Sequence, residues 1–244
     1  LVVTNFQRQL NAVYHNDGGG LFTDVSYPVG LGFTLPYVSW GIGLFDFNND
    51  GLRDLFIANG HIQDRIEQYD KSSTYLQPKH LLLNDGQGRF INVSAEAGEA
   101  LQIPKASRGI ACGDYDNDGD IDILVNNAND APELLRNDTS NTYHWIIIKT
   151  VGTRSNRDGI GARIQVRVSG SSPGSTHVLT QMAEVRSGSS YMSQNDMRVH
   201  FGLGTAKQID WIEIRWPCGI VDVMENVPVD EILYVTEGEG RGGK

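Results

Sequence analysis

Apolar residues along this chain come in short runs, alternating or continuous, bounded by Gly, Asn, Asp, Ser and Pro. That pattern predicts strands and tight turns. The runs include "DLFIAN" (54–59), "KHLLLN" (79–84), "DILVNN" (122–127) and "YHWIIIKT" (143–150). Further on come "SNRDGIGARIQVRV" (155–168), "STHVLTQMAEV" (175–185), "MRVHFGL" (197–203), "QIDWIEIRW" (208–216) and "EILYV" (231–235). A strand alternates its side chains between two faces. Ile212, Ile214 and Trp216 therefore share one face, and Trp211, Glu213 and Arg215 share the other.

The first half repeats. With a shift of 68, "GIGLFDFNNDGLRDLFIAN" (41–59) falls on "GIACGDYDNDGDIDILVNN" (109–127). The same shift lays "VYHNDGGGLFTDVS" (13–26) on "LLLNDGQGRFINVS" (81–94). A repeat at a fixed period marks an array of supersecondary units. Each unit reads as a strand, an acidic loop, an apolar strand, a connection, a third strand, a glycine turn and a fourth strand. Four short antiparallel strands per unit make the blade of a β-propeller. "LVVTN" (1–5) matches "LFIAN" (55–59), so the first blade is expected to lack its inner strand. The last unit follows the pattern only as far as "ELLRND" (133–138). Residues 61–79 make a longer connection than a turn needs and read as a surface decoration.

Between the first two strands of each unit lies a loop crowded with carboxylates. Like charges in one short loop repel, and a bound cation resolves the conflict. Hard oxygen donors at alternate positions suit Ca²⁺, which takes about 6–8 oxygens. The expected ligands of one site are Asp46, Asn48, Asp50, the carbonyl of Leu52, and Asp54. Those of a second are Asp114, Asp116, Asp118, the carbonyl of Asp120, and Asp122. Gly51 and Gly119 allow the sharp turn. An EF-hand is excluded, because its twelfth-position Glu would fall on Ile57 and Val125, inside apolar strands. Zinc would require His or Cys ligands, and neither is near.

The pattern D-x-[DN]-x-D-G-x-x-D before an apolar strand resembles the FG-GAP or VCBS repeat. The resemblance covers residues 1 to about 138. It implies incomplete-propeller blades with two Ca²⁺ sites, in an extracellular setting. "SNRDGIGARI" (155–164), "SGSSYMSQNDMRVHFGLG" (187–204) and "IEIRWPCG" (212–219) resemble the ASPIC/UnbV domain, which follows FG-GAP repeats in the cartilage acidic protein family. The expected fold class is thus all-β. Propeller blades (1–142) lead into a β-sandwich (143–238), and a flexible Gly-rich tail (239–244) follows. Cys218 stands where that resemblance leads one to expect a polar turn residue.

Composition narrows the function. The formal net charge of −10 argues against nucleic acid as a partner. No apolar run approaches the roughly 20 residues of a membrane span. No secretory leader opens the chain and its first residue is not Met, so it reads as a processed product or a fragment. Cys112 and Cys218 read as two unpaired, mostly buried thiols. No G-x-S-x-G elbow or H-E-x-x-H motif occurs. His61, His80, His144 and His177 are scattered without ligand spacing. Ser190, Tyr191, Gln194, Asn195, Asp196, Arg198 and His200 gather in one polar stretch. It reads first as a hydrogen-bonded loop fixing one strand to the next, with a ligand pocket, for a glycan for example, as the alternative. The expectation is a non-catalytic, calcium-stabilised module for adhesion, protein interaction or assembly. It would be secreted, with the cell surface or periplasm as its setting. Its partner would be a protein or glycan, or another copy joined through the incomplete first blade as a homo-oligomer or polymer. The competing readings are an enzyme or accessory protein of enediyne-type secondary metabolism, and a structural subunit of an extracellular polymer.

Overall fold

The computed structural model describes residues 1–171 and 178–240. The start of the expected strand at 175–185, His177, and residues 241–244 of the expected tail lie outside them. The described chain is all-β, in several sheets, none of them closed. Strands β1 (Val2–Val3), β2 (Ala12–Gly18) and β3 (Leu21–Asp24) form a first antiparallel sheet. Strands β4 (Ser39–Phe45), β5 (Asp54–Asn59), β6 (His80–Asn84) and β7 (Phe90–Asn92) form a four-stranded meander. Strands β8 (Ser107–Gly113), β9 (Asp122–Asn127) and β10 (Glu133–Leu135) form a third sheet.

The shift of 68 holds in the hydrogen bonding. Ser39 pairs with Asn59, the register slips, and Ile42 pairs with Ile57. Ser107 pairs with Asn127, the register slips at the same place, and Ile110 pairs with Val125. In both pairs the serine hydroxyl donates to the asparagine Oδ1, at 2.7 and 2.8 Å. The outer hairpins match as well. The amide of Val13 donates to Ser26 Oγ as that of Leu81 does to Ser94 Oγ, each at 2.9 Å.

Burial explains the continuous apolar runs. All six residues of β5 are buried. Leu55 and Ile57 pack with Leu31 and Leu82, while Phe56 and Ala58 pack with Ile110, Ile123 and Val125. A strand sandwiched between neighbouring sheets has no solvent face, so it shows no alternation. Gly41 and Gly43 let β4 lie directly on β8, since a Cβ at Gly41 would stand 2.6 Å from the carbonyl of Arg108. The connection after β5 is pinned from below. Lys79, fully buried, reaches Glu133 at 3.1 Å and the carbonyl of Ile103 at 3.2 Å.

The remainder forms two sheets over one core. Strands β11 (His144–Val151), β12 (Arg163–Ser169), β13 (Val178–Glu184), β14 (Val199–Gly204), β15 (Ile209–Arg215), β16 (Val221–Val227) and β17 (Glu231–Thr236) follow in order. One sheet runs β14-β11-β17, with β11 and β17 parallel, and the other runs β13-β12-β15-β16. Ile212, Ile214 and Trp216 face the shared core, as the alternation predicts. Strand β16 is additional to the expected set. Trp216 ties it in by donating its Nε1 proton to Asp222 at 2.6 Å. At one end of this sandwich the Glu237 carboxylate accepts the amides of Thr153, Arg154 and Ser155 at 2.6–2.7 Å. Desolvation alone would raise the Glu237 pKa, but hydrogen bonds from Cys218, Ser155 and Arg154 outweigh it and hold it well below the usual range. Of the two thiols, Cys112 is buried as expected and Cys218 is exposed. The turn that carries Cys218 faces solvent, and only the sulfur reaches inward, 2.7 Å from Glu237.

Candidate metal centres in the acidic loops

Both acidic loops are built the same way from their own backbone amides. In the first, Asp46 accepts the amides of Asp50 at 3.2 Å and Gly51 at 2.7 Å. In the second, Asp114 accepts those of Asn117, Asp118 and Gly119 at 2.7, 3.2 and 2.9 Å. Asp50 and Asp118 each accept the amide two residues on, at 2.8 and 3.0 Å. Asn49 and Asn117 both take φ of 62°, and Gly51 and Gly119 take φ of 89° and 96°. That succession of left-handed residues curls each loop onto itself. Asn tolerates positive φ better than most residues, and Gly has no Cβ to resist it.

The last carboxylate of each motif joins the loop to the outer hairpin. Asp54 accepts the amides of Phe47 and Asn84, both at 2.8 Å. Asp122 accepts those of Tyr115 at 3.0 Å and Asn137 at 2.9 Å. Asp46, Asp54, Asp114 and Asp122 are all buried. Burial, then repulsion from Asp50, pushes the Asp46 carboxyl up to about 8. Burial, resisted by the amides of Asn84 and Phe47, brings Asp54 to about 7. In the second loop burial is again the first cause, raising Asp114 and Asp122 and bringing Asp120 to about 6. The buried carboxyls of each loop thus resist ionising, a cost that a bound cation would offset.

The ten predicted ligand residues sit together in two groups of five, but they do not all converge. Oxygens of Asp114, Asp116 and Asp122 lie within 4.8 Å of one another, close enough to share one cation. In the first loop Asn48 stands in place of Asp116, and its amide nitrogen lies 3.1 Å from Asp50. The carboxylate of Asp120, whose backbone carbonyl is the predicted donor, instead accepts from Asn49 at 2.7 Å. Leu52 is half-buried, with its amide held by Asp50. Clustered hard oxygens without nitrogen or sulfur fit a hard divalent cation.

Sequence reasoning did not foresee what covers the loops. The tip of the first lies against β14. The Gly204 amide donates to the carbonyl of Asn49 at 2.9 Å, and any side chain at Gly202 would collide with Asp46 Oδ2. The tip of the second is covered by the indole of Trp145, which leaves no room for a Cβ on Gly119. His200 Nε2 meets the carbonyl of Gly119 at 3.1 Å, and Arg198 reaches Asn117 Oδ1 at 2.6 Å and the carbonyl of Asp114 at 2.5 Å. Desolvation lowers the His200 pKa to about 4.

The polar stretch from Ser190 to His200 does fix strands, though not its own neighbours. It runs along β4 and β8, the first strands of the two sheets. The Ile42 amide donates to Ser190 Oγ at 2.7 Å, and the Cys112 amide donates to Asn195 Oδ1 at 3.0 Å. Asp196 returns its amide to the carbonyl of Cys112 at 2.9 Å, and Ser193 donates to that of Ile110. Gly109 and Gly113 permit the approach. A Cβ on either would stand 2.9 Å from the Tyr191 carbonyl or 2.8 Å from the Asp196 Cβ. The two glycines of this strand, Gly109 and Gly113, were the available signal, since strand glycines often mark close backbone contact. Tyr191 also packs on Trp40 at 4.9 Å. Gln194 is exposed.

Apart from Trp145, the residues that cover the loops fall in a stretch similar to a known family. Residues 152–242 match the ASPIC and UnbV family. Over 117 residues the chain is 29% identical to human cartilage acidic protein 1, covering 48% of this chain and 15% of that protein. The mouse and Xenopus tropicalis proteins of the same name are 28% and 26% identical over the same length, with 16% of each covered. The chain therefore spans a small part of these relatives. Strands β12–β17 and the loop that lines β4 and β8 all belong to the ASPIC/UnbV match. Among the described residues, no helix is long and apolar enough to cross a membrane.

Proposed function

We propose that this chain is a calcium-stabilised, non-catalytic extracellular module for protein interaction or assembly. In this reading residues 1–142 are FG-GAP/VCBS-type propeller blades, and residues 143–238 are an ASPIC/UnbV β-sandwich seated on them. Asp46, Asn48, Asp50, Leu52 and Asp54 would hold one Ca²⁺, and Asp114, Asp116, Asp118, Asp120 and Asp122 a second. The cation supplies charge neutralisation and a rigid oxygen-bridged loop. The observation that carries the reading is the position of the loop tips under β14, Trp145 and Arg198. Carboxylates that repel one another would spread those tips. Drawn around a cation, they present Asn49, Asn117 and Gly119 in the conformation that the upper sheet meets.

A non-catalytic role is supported by what the polar side chains already do. His200 is engaged with the Gly119 carbonyl, and Asp196 is paired with Arg198 at 2.6 Å. Secretion is supported by the likeness to cartilage acidic protein 1, and Ca²⁺ at extracellular concentrations would keep such loops filled. Differential scanning calorimetry tests the calcium reading. Saturating Ca²⁺ at about 100 times Kd adds roughly 2.7 kcal/mol per site. The melting temperature should rise with Ca²⁺, fall with chelator, and recover poorly with Mg²⁺. Coincident melting curves in Ca²⁺ and chelator would refute it.

A further inference from the structure

The seam between the repeats and the sandwich opens on one side into a cleft of about 820 Å³. One wall is formed by β4 and β8, the other by β13 and the start of β12. Strand β13 is the edge of its sheet and pairs only with β12. Apart from the Met182 carbonyl, which Arg53 occupies, its free side therefore offers backbone donors and acceptors in strand geometry, a template for an added strand. Apolar side chains accompany it, with Met182 64% and Leu44 41% exposed at the cleft.

The charge in this cleft that has no partner is mostly basic. Arg53, Arg163 and Arg186 all line it, and among the described residues none has a carboxylate within ion-pair distance. Arg53 is held by the carbonyl of Met182 at 3.0 Å, and it is near enough to Arg186 for the two guanidinium groups to repel. The acidic groups of the lining are mostly engaged elsewhere. Asp46 and Asp114 turn to their own loop amides, and Asp196 pairs with Arg198. Glu184 alone faces the cleft without an ion pair. Three guanidinium groups against one unengaged carboxylate, Glu184 across the ladder from Arg163, leave this cleft basic in a protein of net charge −10 and able to receive oxyanions.

We propose that this cleft binds an extended acidic segment of a partner protein, which pairs with the edge of β13 and sets its carboxylates on Arg53, Arg163 and Arg186. The strand edge and the apolar side chains favour a peptide over a sulfated glycan, because a glycan could use the guanidinium groups but has no backbone amides for the edge. The inference rests on reading the chain as an interaction module and names the chemistry of its partner.

The test is fluorescence anisotropy with a short labelled peptide of alternating Glu and Val, using the full chain in Ca²⁺. Its counterpart of alternating Lys and Val and a sulfated polysaccharide serve as the other arms. The Glu/Val peptide should bind, weaken as salt rises, and lose about tenfold in affinity with Arg163→Glu plus Arg186→Glu. Both side chains are exposed, so these substitutions should lower the melting temperature only slightly, through the like charge set across from Glu184. Amide exchange of β13 should slow when the peptide binds. Equal binding of the Lys/Val peptide, indifference to the arginine reversals, or binding of the polysaccharide alone would each overturn the proposal. Calcium-dependent melting is measured without peptide, so a failure here leaves the reading of the loops standing.

Discussion

Asp46→Asn should change sign with calcium. The Asp46 side chain is 5% exposed, and burial with the nearby Asp50 raises its pKa from 3.8 to about 8. In the unfolded chain the same carboxyl ionises near 3.8. Between those values the folded, metal-free protein holds a proton that the unfolded chain has released. Stability is therefore highest in acid and is lost as pH rises toward 8, by about 1.4 kcal/mol for each pH unit. From pH 5 to pH 8 this group alone should remove about 4 kcal/mol. Asparagine has the same shape and no charge, so it abolishes that loss. It keeps one acceptor, and it sacrifices one of the bonds that Asp46 accepts from Asp50 and Gly51. A buried amide left unmatched costs about 1–3 kcal/mol. In metal-stripped protein at pH 8, Asp46→Asn should be at least as stable as wild type. In saturating Ca²⁺ it should be less stable, because the wild-type carboxylate is then neutralised and the variant has lost a ligand. Urea unfolding at pH 5 and pH 8, with and without Ca²⁺, measures all four corners. Wild type equally stable at both pH values without metal, or a variant equally destabilised with and without Ca²⁺, would refute the electrostatic argument.

Two further perturbations separate packing from charge. Gly202→Ala should destabilise the protein by about 1–3 kcal/mol through overpacking, because its methyl would collide with Asp46 Oδ2 and stand 2.7 Å from Asn49 Cα. It should also weaken Ca²⁺ binding measured by calorimetry. Gly188→Ala, with nothing within 4 Å of the new methyl, is the control and should change neither quantity. Lys79→Ala should cost about 3–5 kcal/mol in urea unfolding, because it strands Glu133 beside a buried void. The double change to Lys79→Met and Glu133→Leu should recover much of that loss.

The amino-acid sequence by itself determined the local elements and the repeat. Alternation such as Ile212, Ile214 and Trp216 is set by the two-residue period of a strand, and those side chains do enter the core. The loops were legible for the same reason. The hydrogen bonds that curl their tips join residues two to five positions apart, so Asp46 with Gly51 and Asp114 with Gly119 are read off nearby letters, whereas Asp54 with Asn84 and Asp122 with Asn137 are not. Strand β16 was harder to see, because its burial pattern breaks the alternation and its pairing depends on β15. Only the tertiary structure decided what lies over the loops. Gly202 against Asp46, Trp145 against Gly119, and Ser190 against Ile42 join residues far apart in the chain. No local period encodes such a meeting. It follows from how two independently patterned layers pack, and that depends on the summed shape and charge of both surfaces.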